Sequence, residues 1–218
     1  MIIDVCSDLH GYYPELQGGD LLIVAGDLTA RDLPHERYRF LQWLAEQEYR
    51  KKIWIAGNHD NSLVGMKFTP QRPDAAEYLC DSGTEFEGFK VWGSPWTKTF
   101  EGMNPHCKAF TVATEEELAS KFSLIPDDID ILITHSPAKG MLDKTINGYD
   151  AGSQSLTNRI HHMQPLLHVF GHIHEAYGRD NCFIPATKYI GTVDCCFVNA
   201  SHVNEHYQPV NKPIRIIL

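Results

Sequence analysis

No run of eighteen apolar residues occurs in this chain, which removes any segment that hydropathy would read as a membrane-crossing helix. A basic cluster is missing as well. Against 19 Lys and Arg stand 28 Asp and Glu, for a formal net charge of -9, and the densest cationic stretch is the triplet Arg50-Lys51-Lys52. Non-specific adhesion to nucleic acid or to an anionic membrane needs clustered Lys and Arg, so the sequence argues against both partners. The triplet falls at the end of a predicted helix, where cations complement the negative dipole end. The six cysteines (Cys6, Cys80, Cys107, Cys182, Cys195 and Cys196) form no C-x-x-C pair. Vicinal Cys195-Cys196 would point to opposite faces of a strand rather than chelate one ion. Free thiols in a reducing cytoplasm are the expectation. Internal repeats, low-complexity tracts and charge blocks are absent too. At 218 residues and 43% hydrophobic content, the chain is sized for a single domain over 1–218. No signal peptide is expected, because a polar motif at Asp8 closes a predicted strand that begins at Met1.

What is present is a repeated juxtaposition. Five short apolar runs, Met1 to Cys6, Leu21 to Ala25, Ile53 to Ala56, Ile129 to Thr134 and Leu166 to Phe170, read as buried strands. Each is followed by a polar cluster: Asp8-Leu9-His10, Gly26-Asp27, Gly57-Asn58-His59-Asp60, His135 and Gly171-His172-Ile173-His174. Ligands of open α/β sheets collect outside the carboxyl ends of the strands, so five clusters scattered in sequence converge in space.

Between them, Leu33 to Arg50 carries Tyr38, Leu41, Leu44, Ala45 and Tyr49 near helical spacing and predicts a crossover helix. Residues 84–92 alternate at period two around Gly88, as a hairpin or bulged strand pair does. Thr114 caps a predicted helix to Phe122 with three glutamates in its first turn, and Ser155 or Thr157 caps another ending at Met163. The tail from Thr192 to Leu218 reads as two strands broken around 204–212. These elements predict an α/β fold of four layers, two mixed β-sheets packed as a sandwich and flanked by helices. The loops 94–110 and 136–153 lie next to motif residues and are placed to shape substrate access.

Asp8, His10, Asp27, Asn58, His135, His172 and His174 are seven candidate ligands for borderline divalent ions. With Asp27 bridging, they divide into about four on each of two ions. His172 and His174 stand two apart and can address different metals where Gly171 turns the chain. Manganese is the first expectation, with Fe, Zn, Ni or Mg as alternatives, since such donor sets accept several ions. Two ions about 3.5–4 Å apart activate a shared water and clamp the attacking and leaving oxygens of an in-line displacement. Two divalent cations, two carboxylates and one bridging hydroxide sum to about +1, which matches a phosphodiester monoanion. A monoester dianion would want a further cation, for which Arg31 and Lys139 are the obvious candidates.

His59 follows a ligand and can face the substrate, to stabilise the transition state or protonate the leaving oxygen, with Asp60 orienting it and raising its pKa. Trp96 is either a pocket wall or partly buried packing. His161 and His162 are expected to face solvent, and His35, His106, His168, His202 and His206 to be structural or exposed. The spacing of His172 and His174 rules out an H-E-x-x-H zinc helix.

The order D-x-H, G-D, G-N-H-D, H and G-H-x-H, spanning residues 8–174, resembles the calcineurin-like metallophosphoesterase superfamily. That resemblance implies one metal held by Asp8, His10, Asp27 and His174, and the other by Asp27, Asn58, His135 and His172. Further segments, Gly93-Ser94-Pro95-Trp96-Thr97 and Leu167 through Gly178 among them, resemble the metallophosphoesterase-domain-containing phosphodiesterases. The likeness implies hydrolysis of small phosphodiesters, with cyclic nucleotides among the candidates. The alternatives are a phosphomonoesterase on the same site, a nuclease, against which the acidic balance argues, and a non-catalytic scaffold, against which the complete ligand set argues.

Overall fold

The computed structural model describes residues 1–66, 76–100, 102–185 and 192–218, and of 182–185 and 192–193 the backbone alone. The first half carries β1 (Ile2–Cys6), β2 (Gly19–Ala25), α1 (Pro34–Glu46), β3 (Tyr49–Ile55), β4 (Glu77–Tyr78), β5 (Ser82–Phe86), β6 (Phe89–Ser94) and β7 (Thr97–Lys98). The second carries β8 (Thr111–Val112), α2 (Glu115–Phe122), β9 (Ile131–Thr134), α3 (Gln154–Met163), β10 (Leu167–Phe170), β11 (Gly178–Pro185), β12 (Thr192–Asn199) and β13 (Ile214–Ile217).

Two sheets form the centre. One has the order β13-β1-β2-β3-β4, the other β11-β12-β10-β9-β6-β5. In the first sheet β1, β2, β3 and β4 run parallel and β13 closes the edge antiparallel; in the second, β6, β9, β10 and β12 run parallel between antiparallel edges. Side-chain alternation explains the layering. On β2, Leu21, Ile23 and Ala25 face the other sheet and meet Ile131, Ile133, Leu167 and Val169, whereas Leu22 and Val24 face Phe40 and Leu44 of α1. On the far side Leu132, Phe170 and Phe197 meet Leu118, Phe122, Leu156 and Ile160 of α2 and α3. Each such aliphatic or aromatic side chain removed from water contributes roughly 1.5–3 kcal/mol. The four-layer sandwich expected from the sequence is the fold observed.

The hairpin turns at Glu87-Gly88, the vicinal cysteines divide between the inter-sheet core (Cys196) and the α2–α3 core (Cys195), and Thr114 caps α2. Cys6, Cys80, Cys107 and Cys196 are free thiols, and the Cys182 side chain lies outside the described residues. Two boundaries need correction. The crossover helix stops at Glu46, and Arg50-Lys51-Lys52 belongs to β3, where Tyr49 pairs with Gly19 of β2. Lys52 still serves the helix end, since its Nζ donates to the carbonyls of Leu44 at 2.9 Å and Ala45 at 3.1 Å. The cap of α3 is Ser153, whose Oγ accepts from the Leu156 amide at 3.2 Å. Ser155 instead donates to Glu115 Oε1 at the start of α2.

Candidate metal centre

The carboxyl ends of the parallel strands of both sheets meet along one seam. The Ser7 amide donates to the Ala200 carbonyl at 2.8 Å, and His135, just past β9, sets Nδ1 3.0 Å from the Ala25 carbonyl at the end of β2. There the chain leaves its strands through left-handed backbone, with φ of 50° at Asp8, 44° at His10, 51° at Asp27 and 71° at His172. Such φ values are uncommon for residues with a Cβ and concentrate at functional sites. Two glycines admit the carboxylates. A Cβ on Gly57 would lie 2.2 Å from Asp27 Oδ1, and one on Gly171 would lie 2.1 Å from Asp8 Oδ2.

The sequence-predicted ligands converge here. His10 Nε2 lies 3.3 Å from His174 Nε2 and 3.7 Å from Asp27 Oδ2, and His174 Nε2 lies 3.4 Å from Asp8 Oδ1. His135 Nε2 lies 3.4 Å from Asp27 Oδ1 and 3.0 Å from Asn58 Oδ1. Three trios place their donor atoms within 4.8 Å of one another: Asp8 with His10 and His174, His10 with Asp27 and His59, and Asp8 with Asp27 and His135. His172 stands outside the trios, its ring centroid 5.0 Å from that of His135. Nδ1–H groups of His135 and His174 facing the carbonyls of Ala25 and Asn204 leave each Nε2 free to face the carboxylates.

Electrostatics follow from burial. Desolvation works against the charge on Asp8 and Asp27, yet the neighbouring imidazoles and their hydrogen bonds hold both well below the usual carboxylate range. Burial lowers His10 and His172 to about 3, so both are neutral. At His135 burial is overcome by Asp27, which raises it to about 9.

Around His59 and Asp60 the structure departs from the expectation. Asp60 is buried, and its carboxylate accepts from the amides of Leu28, Thr29 and Gly57 and from the Thr29 hydroxyl. No hydrogen bond joins it to His59 among the described residues. Burial and then Asp27 push Asp60 up to about 7. It pins the loop after β2 to the loop after β3 and is not the orienting group. That role falls to the Ala30 carbonyl, 2.9 Å from His59 Nδ1, with Cys107 Sγ at 3.4 Å. The Cys107 carbonyl also accepts from Asn58 Nδ2 at 3.3 Å, which fixes the amide with Oδ1 toward His135.

A groove of about 750 Å³ opens from Asp27, Asn58 and His172 to residues 97–100, 103–107 and 145–154 of the two loops expected to shape access. Phe100 stands over His172 with centroids 6.4 Å apart. Trp96 is packing: its Nε1 donates to Asp81 Oδ2 at 2.7 Å, and Lys121 Nζ lies 3.7 Å from its ring centroid. The wall is formed by Tyr207, which sequence reasoning missed along with Ser201, whose hydroxyl donates to Asp8 Oδ2 at 2.7 Å. The available signal was Asn199-Ala200-Ser201 at the end of β12, a sixth polar cluster at a strand end.

The fold and this donor set define a metal-dependent phosphoesterase. The calcineurin-like phosphoesterase model matches residues 1–176, and the chain belongs to that family. It is 37% identical over 243 residues to human metallophosphoesterase domain-containing protein 1, covering 98% of this chain and 70% of that protein. A UPF0046 protein of Caenorhabditis elegans is 29% identical over 92% of this chain and 54% of its own length. Among solved structures, TT1561 of Thermus thermophilus superposes with a TM-score of 0.56 at 15% identity, over 91% of this chain and 88% of that one. The purple acid phosphatase PPD1 of yellow lupin does so with a TM-score of 0.51 at 13% identity, over 99% and 47%. At these identities the two structures share the fold. Among the described residues, no helix is long and apolar enough to cross a membrane.

Proposed function

We propose that the chain is a dinuclear metal-dependent phosphodiesterase acting on small phosphodiesters, with cyclic nucleotides as candidate substrates. The donor set suits metal: Asp8 and Asp27 are 0% and 2% exposed, face imidazoles, and pair with no Lys or Arg among the described ion pairs. Buried carboxylates require compensating positive charge, and mixed O and N donors favour borderline divalent ions. Asp8, His10, Asp27 and His174 would hold one ion, and Asp27, Asn58, His135 and His172 the other. When bound, such ions supply Lewis acidity and make water a nucleophile at neutral pH.

The chain's own part is orientation and proton delivery. His59, with Nδ1–H held by the Ala30 carbonyl, turns Nε2 to the side of Asp27 and delivers the proton to the leaving oxygen from that atom. Asn58 keeps its amide oxygen inward through the Cys107 carbonyl. The observation that carries the diester preference is the scarcity of free cations among the described residues: of the two lysines that line the groove there, Lys98 lies 3.9 Å from Glu115, leaving Lys139. Lys139 is exposed and has no ion pair among the described residues, and it is what favours the second reading, a phosphomonoesterase. The test is hydrolysis of bis-p-nitrophenyl phosphate against p-nitrophenyl phosphate by chelator-stripped protein before and after Mn²⁺. Metal-restored turnover favouring the diester is expected. Preference for the monoester would transfer the site to the phosphatases, and silence with every divalent ion would refute catalysis.

A further inference from the structure

Tyr207 combines four observations that packing alone does not explain. Its backbone is left-handed, with φ of 58°, at a residue whose bulk makes that conformation costly. It is held there by Asn204, whose carbonyl accepts from the Tyr207 amide at 2.9 Å and whose Oδ1 accepts from the amides of His206 at 3.0 Å and Gln208 at 2.9 Å. The same carbonyl faces His174 Nδ1 at 3.2 Å, so one group sets both the tyrosine and the imidazole. The ring stands edge-on to His10 and His174, centroids 4.9 and 5.1 Å away, and 6.2 Å from that of His59. Yet the residue remains 49% exposed and lines the groove, and its hydroxyl has no hydrogen-bond partner among the described residues. A strained aromatic beside three site imidazoles, with its polar tip free, is arranged to touch something that enters the groove.

The charge of that something follows from its surroundings. Tyr207 brings a neutral donor where a lysine or arginine would serve a dianion better. Phe100 lines the same groove and stands against His172, so the two aromatics flank different imidazoles of the cluster.

We propose that Tyr207 is a substrate-contacting, specificity-determining residue: its phenol donates to a non-bridging phosphoryl oxygen of a singly charged phosphodiester, while its ring walls the His10 and His174 side of the groove. This rests on the phosphodiesterase reading above.

The experiment compares Tyr207→Phe, which removes the hydroxyl alone, with the parent protein, both loaded with Mn²⁺. Three quantities are measured: metal per chain, kcat/KM for bis-p-nitrophenyl phosphate, and the Kd of diphenyl phosphate by calorimetry. The expected result is unchanged metal content, a loss of roughly ten- to a hundredfold in kcat/KM, and weaker diphenyl phosphate binding. Both values within about twofold of the parent would overturn the proposal, because a hydrogen bond to a charged partner contributes more than that. Loss of metal along with activity would also overturn it, making the tyrosine a prop for His10 and His174. A parent that binds diphenyl phosphate without cleaving it, with binding lost in the variant, would keep the contact and refute the phosphodiesterase reading. A parent that neither binds nor cleaves would refute both.

Discussion

Gly171→Ala isolates the close approach on which the Asp8 side of the site depends. The added Cβ would lie 2.1 Å from Asp8 Oδ2, 2.2 Å from Ser7 Oγ and 2.7 Å from Ser7 Cβ. None of these atoms is free to yield. Asp8 is wholly buried and held by the Ser201 hydroxyl at 2.7 Å and the His172 amide at 3.0 Å, and Ser7 Oγ donates to the Ala25 carbonyl at 2.9 Å. Overpacking a tight site costs about 1–3 kcal/mol, and disturbing charge-assisted bonds to a buried carboxylate adds about 2 kcal/mol, so about 3–5 kcal/mol is expected. For a chain of this size each kcal/mol lowers Tm by about 2–4 °C, giving a drop of about 6–20 °C. Gly148→Ala is the matched control: its φ is +79° and a Cβ there meets nothing within 4 Å, so only the backbone penalty of about 1 kcal/mol applies. Thermal unfolding followed by circular dichroism, with and without Mn²⁺, reads both effects. Gly171→Ala is expected to lose the metal-induced rise in Tm that Gly148→Ala retains. Equal melting temperatures and equal metal-induced rises in the two variants would refute the reasoning.

His168 is fully buried against Phe170 and Phe197, with Nε2 2.8 Å from Thr134 Oγ1, and desolvation lowers its pKa to about 3. The folded state therefore keeps it neutral while the unfolded chain protonates near pH 6.5, so its contribution is complete above that pH and declines as pH falls toward 3. His168→Gln should flatten the parent's decline by about 2 kcal/mol between pH 7 and pH 5, read from urea midpoints; parallel pH profiles would contradict it. Asp60→Asn should cost about 2–3 kcal/mol of stability, because its amide N–H would meet amides that now donate to a carboxylate, and should leave the pH profile of kcat unmoved. His59→Ala should do the opposite, cutting turnover while retaining metal. A shifted kcat profile in Asp60→Asn at unchanged stability would restore the orienting role to Asp60.

The strands and most candidate ligands were legible because their determinants are local: an apolar run ends, and the next residues are Asp, His or Asn. Helix caps such as Thr114 were legible for the same reason, since the capping box with Glu117 spans three residues. The error at Arg50-Lys51-Lys52 has a tertiary cause. The triplet continues helical spacing, but pairing of Lys51 and Lys52 with Leu21 and Leu22 places it in the sheet. Asp60 was misassigned because adjacency in sequence suggested a partner that space does not supply. The loop around Cys107 and the turn at Asn204 escaped because they act through backbone carbonyls, on Asn58 and His174, and a carbonyl leaves no trace in residue identity.

The seam between the sheets joins residues that are far apart in synthesis. Asp8 precedes the groups that hold it, the His172 amide and the Ser201 hydroxyl, by 164 and 193 residues. Loop-closure entropy makes such distant contacts late in folding. A chain emerging from the ribosome therefore carries Asp8 without a complete site until Ser201 has been made. Metal affinity in this molecule is thus a measure of topological completion: a slipped strand or undocked tail that spared most of the core would still be registered at the site.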